Sequence, residues 1–223
     1  MLLAIDTTSD WGGVALYNQP GLLAEANWQI GRGHSAQILP MIHQLLANTA
    51  TTVDDLTGVG VALGPGSWSG LRVGLSLAKG IALAANVPLL GVSSLDTLAY
   101  PHQRTGRSVM AVLRLGRDRF AVAEYRLRRA WGKVGAERNL SRDELLASLP
   151  ELALVCGEID VRLAAAIVAT KGAGVVVPMP ALSARRAGYL AEIAWGRLQA
   201  GERDDLVALE PTYLGNAVKE PAK

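Results

Sequence analysis

The sequence predicts an α/β protein built from two similar halves. In each half, three strand-like segments precede a helical segment, and further strand and helix segments follow. Half of the 223 residues are apolar, which is enough for a sizeable core. We place the division near residues 101–107. The predicted domains are therefore residues 1–103 and residues 104–223, with the C-terminal segment returning to the first domain.

The first half is predicted as a strand meander followed by alternating helices and strands. The predicted strands cover residues 2–5, 13–17, 22–28, 59–63 and 89–92. The spacing of apolar residues predicts helices at about 35–47 and 69–85. Pro40 must lie in the first turn of its helix or kink it. Ser93 or Ser94 is expected to cap a further short helix.

The second half repeats this pattern less regularly. The predicted strands cover residues 109–113, 120–125, 133–140, 152–156 and 175–177. Ser141, with Glu144 three positions later, forms a capping box that predicts a helix start. Two more helices are predicted, at residues 162–169 and 182–199.

Charge is distributed unevenly along the chain, although the formal net charge is only +2. Residues 101–150 hold eleven Lys and Arg against five Asp and Glu, whereas residues 1–100 hold three against six. The basic segment, residues 104–142, is expected to be a solvated surface. The alternative is a surface for nucleic acid or for an acidic partner.

Several features predict a cytoplasmic protein without a membrane segment. Cys156 is the one cysteine, so no intrachain disulfide can form, and its apolar neighbours predict a buried strand thiol. Asp6 follows a short apolar run with no basic segment before it, so we expect no signal peptide. The most apolar stretch, residues 73–92, is interrupted by Lys79 and Pro88, which favours a buried helix and strand.

A glycine-rich turn at residues 64–74, GPGSWSGLRVG, is the strongest motif. It follows a predicted strand and opens a predicted helix, where glycine permits close backbone approach and free N–H groups favour an anion. Its spacing matches neither the Walker A loop nor the Rossmann fingerprint. Docking of the helix on its sheet is therefore the alternative use. The residues predicted for nucleotide or anion binding are Asp6, Gly64, Gly66, Ser67, Ser69 and Gly70.

No catalytic or metal-binding set is predicted. The three histidines are His34, His43 and His102, and nine residues place the first two on opposite sides of one helix. The serines of the glycine-rich turn do not have the spacing of a nucleophile elbow. Asp6 could still bind a metal–nucleotide complex, so an independent nucleotide-dependent enzyme or hydrolase remains the alternative function.

Several motifs occur in a recognisable order along the chain. They lie at residues 6–9, 34–35, 39–40, 64–74, 78–80, 91–95 and 210–214. With this combination the chain resembles the TsaB (YeaZ) family, over roughly residues 1–100 with a short match at 210–214. The resemblance implies a duplicated actin-like ATPase fold, of the ASKHA and ribonuclease H-like type, in two subdomains.

The resemblance also implies a function. TsaB proteins are non-catalytic paralogues of TsaD, and they act in forming threonylcarbamoyladenosine next to the anticodon of tRNAs that read ANN codons. The implied partners are TsaD in a heterodimer, TsaE in the larger complex, and a second copy when the chain is alone. ATP and metal would be held by partner subunits, so this chain would need no cofactor and would not be an enzyme. The glycopeptidase label once given to the family finds no support in these residues.

The two helices predicted in the first half are apolar on most sides, which indicates either interior packing or a helix–helix interface. The resemblance favours an interface with TsaD or with a second copy. The predicted interface residues are Ser35, Ile38, Leu39, Ile42, Leu71, Leu75, Ala78, Lys79 and Ala82. Basic residues of the second half could touch tRNA phosphates, but TsaD would carry most of the tRNA contacts, so contact through this chain is expected to be mainly indirect. These basic residues are Arg126, Arg128, Arg129, Lys133 and Arg138.

The chain departs from the family pattern at two places. Trp68-Ser69 stands where the family usually has Phe-Thr, which keeps an aromatic ring and a hydroxyl. Residues 113–117, LRLGR, stand where the family often has Asp-Ala-Arg.

Overall fold

A computed structural model describes residues 1–31, 33–116 and 118–214, apart from the side chain of His34. Its strands form two five-stranded sheets. The first sheet contains β1 (Leu2–Asp6), β2 (Trp11–Asn18), β3 (Gly21–Gln29), β4 (Gly58–Gly64) and β5 (Leu89–Ser93). The second contains β6 (Ser108–Gly116), β7 (Arg119–Leu127), β8 (Trp131–Ser141), β9 (Ala153–Gly157) and β10 (Val175–Val176).

Six α-helices accompany these sheets in the described part of the chain. They are α1 (His34–Asn48), α2 (Trp68–Ala85), α3 (Ser94–Ala99), α4 (Arg142–Ser148), α5 (Val161–Lys171) and α6 (Ala187–Gln199). Short 3-10 helices lie at Val53–Asp55, Tyr100–His102, Gly172–Gly174 and Pro180–Ser183. None of the helices described has the length and apolar character needed to cross a membrane.

The two sheets share one topology. Their strand orders are β3-β2-β1-β4-β5 and β8-β7-β6-β9-β10, read from the edge of the meander. In each, the first three strands pair antiparallel and the last two join in parallel. The predicted α/β architecture of two similar halves is therefore confirmed.

Helices cover both faces of each sheet. Helices α1 and α2 pack on one face of the first sheet, and α6 packs on the other. Helices α4 and α5 cover the outer face of the second sheet, and α3 packs on its inner face. The continuous apolar runs of β1 and β6, Leu2–Ile5 and Val109–Leu113, fit this burial on two sides.

The last helix begins later than predicted. The spacing of apolar residues from Leu182 suggested a helix, but Pro180–Ser183 forms a 3-10 turn, and Ala184 and Arg186 have extended backbone. The prediction is therefore wrong for residues 182–186. Pro40 lies inside α1 and not in its first turn, so one main-chain hydrogen bond of that helix is absent.

The thiol of Cys156 is expected to be inert in the folded protein. It is fully buried in β9, with its Sγ 3.6 Å from the carbonyl oxygen of Leu98. Burial raises its pKa to about 12, so almost no thiolate forms at pH 8. We expect a disulfide-exchange reagent such as DTNB to label it only after unfolding in denaturant. Rapid labelling of the native protein would contradict this burial.

Candidate functional site

A cleft of about 800 Å³ lies between the two sheets. Most of its walls lie at or just after the carboxyl ends of strands, where ligands of open α/β sheets commonly bind. These segments are the turn after β1 (residues 8–10), the glycine-rich turn (residues 66–68), the end of β6 (residues 113–115), Glu158, and residues 212–214. Of the residues predicted for nucleotide or anion binding, Gly66 and Ser67 line this cleft.

Three glycines spaced four residues apart let α2 approach the turn after β1. A Cβ on Gly66 would lie 2.1 Å from the carbonyl oxygen of Thr8. On Gly70 it would lie 2.0 Å from the carbonyl oxygen of Thr7, and on Gly74 2.2 Å from the hydroxyl of Thr7. No side chain fits at these distances, so these glycines hold the helix directly against the first strand's turn.

Hydrogen bonds reinforce the same contact. The Ser67 backbone N–H donates to the carbonyl oxygen of Thr8 at 2.7 Å, and the Thr7 hydroxyl donates to the carbonyl oxygen of Gly70 at 2.7 Å. The Ser67 hydroxyl caps α2 by accepting from the Gly70 N–H at 3.4 Å. These contacts favour helix docking as the role of the turn. Anion binding by Gly64, Ser69 and their neighbours stays a prediction.

Asp6 is occupied by contacts within the protein. It is buried, and its Oδ1 accepts from the Thr8 N–H at 2.9 Å and from the Thr8 hydroxyl at 2.7 Å. Arg185 Nε lies 3.5 Å from Asp6 Oδ2, and both side chains are less than a tenth exposed. Within the described part of the chain, the two terminal amino groups of Arg185 have no hydrogen-bond partner. A single buried carboxylate therefore faces this guanidinium.

Sequence reasoning missed Arg185, because it lies in a segment predicted as helix. The extended backbone at residues 184–186 is what directs its side chain to the end of β1. Arginine in a segment of otherwise small and apolar residues is the signal that could have indicated a buried ion pair.

Metal ligands are not brought together in the residues that the structure describes, since they contain no group of three or more His, Cys, Asp or Glu side chains placed to hold an ion. His43 is exposed on α1. His102 is buried, and this burial lowers its pKa. The side chain of His34 lies outside the described part.

Most of the predicted interface residues lie in the protein's own core. The six buried ones have at most 6% exposure: Ile38, Ile42, Leu71, Leu75, Ala78 and Ala82. All but Leu71 belong to the apolar cluster between the two helices and the first sheet. In the described chain these side chains are covered by the protein itself, and their assignment to a partner interface stays a prediction. Ser35, Leu39 and Lys79 lie at or near the surface, and their assignment stays a prediction.

The outer sides of α1 and α2 nevertheless present apolar surface. Leu39, Trp68 and Leu83 are 54%, 58% and 71% exposed. Gly80, which lies in α2 between Trp68 and Leu83, is also exposed, and a Cβ there would meet no atom within 4 Å. We call these four residues, with Ser35, the α1–α2 face. Large exposed side chains on two neighbouring helices are typical of an interaction surface.

Comparison with known proteins bears on both the fold and the family. The profile of the family described as "TsaD: tRNA N6-adenosine threonylcarbamoyltransferase" matches residues 28–152. The Bacillus subtilis protein "tRNA threonylcarbamoyladenosine biosynthesis protein TsaB" is 40% identical over 98 residues, which is 44% of this chain and 43% of that protein. The Escherichia coli protein of the same name is 38% identical over 99 residues, 44% of this chain and 42% of that protein. The matched segment thus spans less than half the length of these relatives.

Solved structures extend the likeness to the whole fold. The structure titled "YeaZ from Pseudomonas aeruginosa" superposes with a TM-score of 0.77 and 22% identity, over 96% of this chain and 99% of the other. The ethanolamine utilization protein EutJ from Carboxydothermus hydrogenoformans gives 0.51 over 85% of this chain, with 12% identity. The predicted actin-like fold in two subdomains is confirmed. Because the TsaD profile matches more than half of the chain, and its relatives and structural neighbours carry the TsaB and YeaZ names, the chain belongs to the TsaB (YeaZ) family of TsaD-related proteins.

Proposed function

We propose that this chain is a non-catalytic subunit that pairs with TsaD in forming threonylcarbamoyladenosine next to the anticodon of tRNAs that read ANN codons. The names of the curated relatives and the match to the TsaD profile support this pathway. The observation that carries the non-catalytic role is the buried pair of Asp6 and Arg185. A carboxylate that already faces a guanidinium and the Thr8 hydroxyl is poorly placed to hold a metal–nucleotide complex. ATP and metal then belong to the partner subunits.

The α1–α2 face is the surface that we assign to TsaD in this heterodimer. Its large apolar side chains, Leu39, Trp68 and Leu83, lie on helices whose other sides are fixed to the first sheet. A rigid helix pair with an apolar outer side suits helix-to-helix packing, since little ordering is needed on binding. The same face serves a homodimer when TsaD is absent, and TsaE joins the larger complex. These assemblies are proposed to form in the cytoplasm.

Replacement of Gly80 by arginine tests this interface. Gly80 is exposed in α2, and a Cβ there meets nothing within 4 Å, so the fold accommodates the side chain. In a helix–helix interface the same side chain prevents close approach. We expect Gly80→Arg to weaken binding to purified TsaD by at least tenfold, about 1.4 kcal/mol. Size exclusion and calorimetric titration of the mixture, with and without nucleotide, measure this.

The matched control is Gly196→Arg in α6, where a Cβ also meets nothing within 4 Å. It adds the same charge and bulk at an exposed position of a different helix and is expected to leave binding unchanged. Equal loss with both variants would remove the α1–α2 face from the proposal. Failure of the unaltered chain to bind TsaD under any condition would overturn the heterodimer itself.

Two further results would favour other functions. ATP turnover by the chain alone, abolished by Asp6→Ala, would support an independent nucleotide-dependent enzyme. Concentration-dependent dimerisation that TsaD cannot disrupt would support a free-standing homodimeric module. Reconstitution of tRNA modification with and without this chain separates both from the activator role.

A further inference from the structure

Basic side chains gather at the end of the second sheet that is opposite to the cleft. Arg107, Arg126 and Arg128 line one hollow of about 440 Å³ there. Arg129 follows in the same turn, and Arg104 precedes the hollow by two residues; both are exposed. We call these five residues the arginine pole.

The topology of the sheet explains this gathering. β6 begins at Ser108, which pairs with Ala153 at the start of β9, while Val109 pairs with Tyr125 near the end of β7. The segments before β6 and β9, and the turn from β7 to β8, therefore meet at one end. The cleft residues at 113–115 and Glu158 lie at the other end of β6 and β9. The arginine pole is thus separated from the cleft by the length of the sheet.

Most of this positive charge has no carboxylate against it. Among the described residues, Arg104, Arg128 and Arg129 make no ion pair, and Arg107 donates to the carbonyl oxygen of Gly174 at 2.6 Å. Arg126 pairs with Glu124 at 2.6 Å. The one carboxylate lining the hollow is Glu151, which pairs with Lys171 at 2.7 Å.

The side-chain chemistry fits a phosphate backbone. Guanidinium groups bind phosphate oxygens through two parallel hydrogen bonds, whereas lysine acts as a point charge, and all five residues here are arginine. Exposed Leu127 and Leu152 border the same hollow, at 54% and 61% exposure. They offer apolar contact to a sugar or base beside the phosphates, which a purely electrostatic surface would lack.

We propose that the arginine pole binds the phosphate backbone of RNA. Under the proposed function this RNA is the tRNA, held by this chain at a surface distinct from the α1–α2 face. Contact with RNA through the pole is then direct, and three of its residues, Arg126, Arg128 and Arg129, are among those that the sequence suggested for tRNA phosphates. The identity of the RNA depends on the proposed function, while binding through the pole does not.

The double variant Arg128→Ala/Arg129→Ala tests this. Both side chains are exposed and lack ion pairs in the described structure, so their removal leaves the fold intact. Binding of the full chain to a fluorescently labelled, unmodified tRNA transcript is measured by anisotropy between 50 and 200 mM salt. We expect at least a tenfold weaker affinity at the lowest salt, and a slope of log affinity against log salt that is smaller by about two.

The control is Arg142→Ala/Arg162→Ala, which removes two exposed arginines at the starts of α4 and α5, away from the pole. Equal weakening by both double variants, or none by the first, would overturn the proposal. Binding to vesicles with anionic lipid that depends on Arg128 and Arg129, without binding to RNA, would overturn it in favour of a membrane surface. Binding of Arg128→Ala/Arg129→Ala to TsaD is measured in parallel and is expected to be unchanged. RNA binding by the arginine pole and pairing with TsaD can therefore be disproved independently of each other.

Discussion

Replacing Asp6 with alanine is expected to lower the free energy of unfolding by about 3–5 kcal/mol. Arg185 lies against Asp6 with less than a tenth of its side chain exposed, and its two terminal amino groups have no acceptor in the described structure. Loss of the carboxylate leaves a buried cation without its counter-ion. It also removes the acceptor of the Thr8 N–H and hydroxyl. Urea titration followed by circular dichroism measures the change.

Two variants make this result specific. Asp10→Ala removes an exposed carboxylate four residues away, and a change within about 0.5 kcal/mol is expected. Asp6→Ala combined with Arg185→Met removes both charges, and it is expected to recover a large part of the lost stability. The opposite result would be a loss of less than about 1 kcal/mol in the free energy of unfolding for Asp6→Ala, together with stabilisation of the unaltered chain by magnesium and ATP. That result would mean that Asp6 binds a metal–nucleotide ligand and does not stabilise Arg185.

Replacing Gly70 with alanine is expected to destabilise the chain by about 3 kcal/mol or more, beyond the usual range for overpacking. A Cβ at this position would lie 2.0 Å from the Thr7 carbonyl oxygen, a main-chain atom that cannot rotate away. Helix α2 would have to move off the turn that follows β1. The same urea titration measures the loss, and wider disruption of α2 should also weaken TsaD binding.

Gly80→Ala is the matched control, because both glycines lie in α2 but the Cβ of Gly80 meets no atom within 4 Å. Alanine is the better helix former, so this variant is expected to gain about 0.5–1 kcal/mol. If α2 docks closely on the β1 turn only near Gly70, the two substitutions change the free energy of unfolding in opposite directions. Equal changes would mean that helix propensity alone determines the stability of both variants. They would contradict the close approach of Gly70 to Thr7.

The strands and most helices could be predicted because their signals are local. Alternating apolar residues, the Ser141 capping box and the Ser93 cap operate within a few residues, and both caps lie where the sequence predicted them. The two similar halves followed from the order of these segments. The glycine spacing indicated a close approach, although the partner surface, Thr7 and Thr8, is sixty residues distant in sequence.

The candidate site was harder to predict, because it depends on contacts between distant segments. An apolar helix side carries the same pattern whether a sheet or another protein covers it, and Ile38 and Leu75, predicted for a partner interface, are buried within the chain itself. Arg185 reaches Asp6 only because residues 184–186 are extended, while their composition also suits a helix. Contacts across 179 positions leave no periodic signal in one sequence.

The position of α6 has a consequence for the order in which the chain can fold during synthesis. Ala187, Leu190 and Ala194 cover Leu2 and Ala4 of β1, although they are synthesised after all five strands of that sheet. Further along the chain, the Asp204 N–H donates to the carbonyl oxygen of Leu89 in β5, and the Thr212 N–H donates to the carbonyl oxygen of Leu63 in β4. Until these residues emerge, one side of the earliest sheet remains uncovered. The nascent chain therefore carries an exposed apolar surface from the completion of this sheet until α6 has emerged from the ribosome.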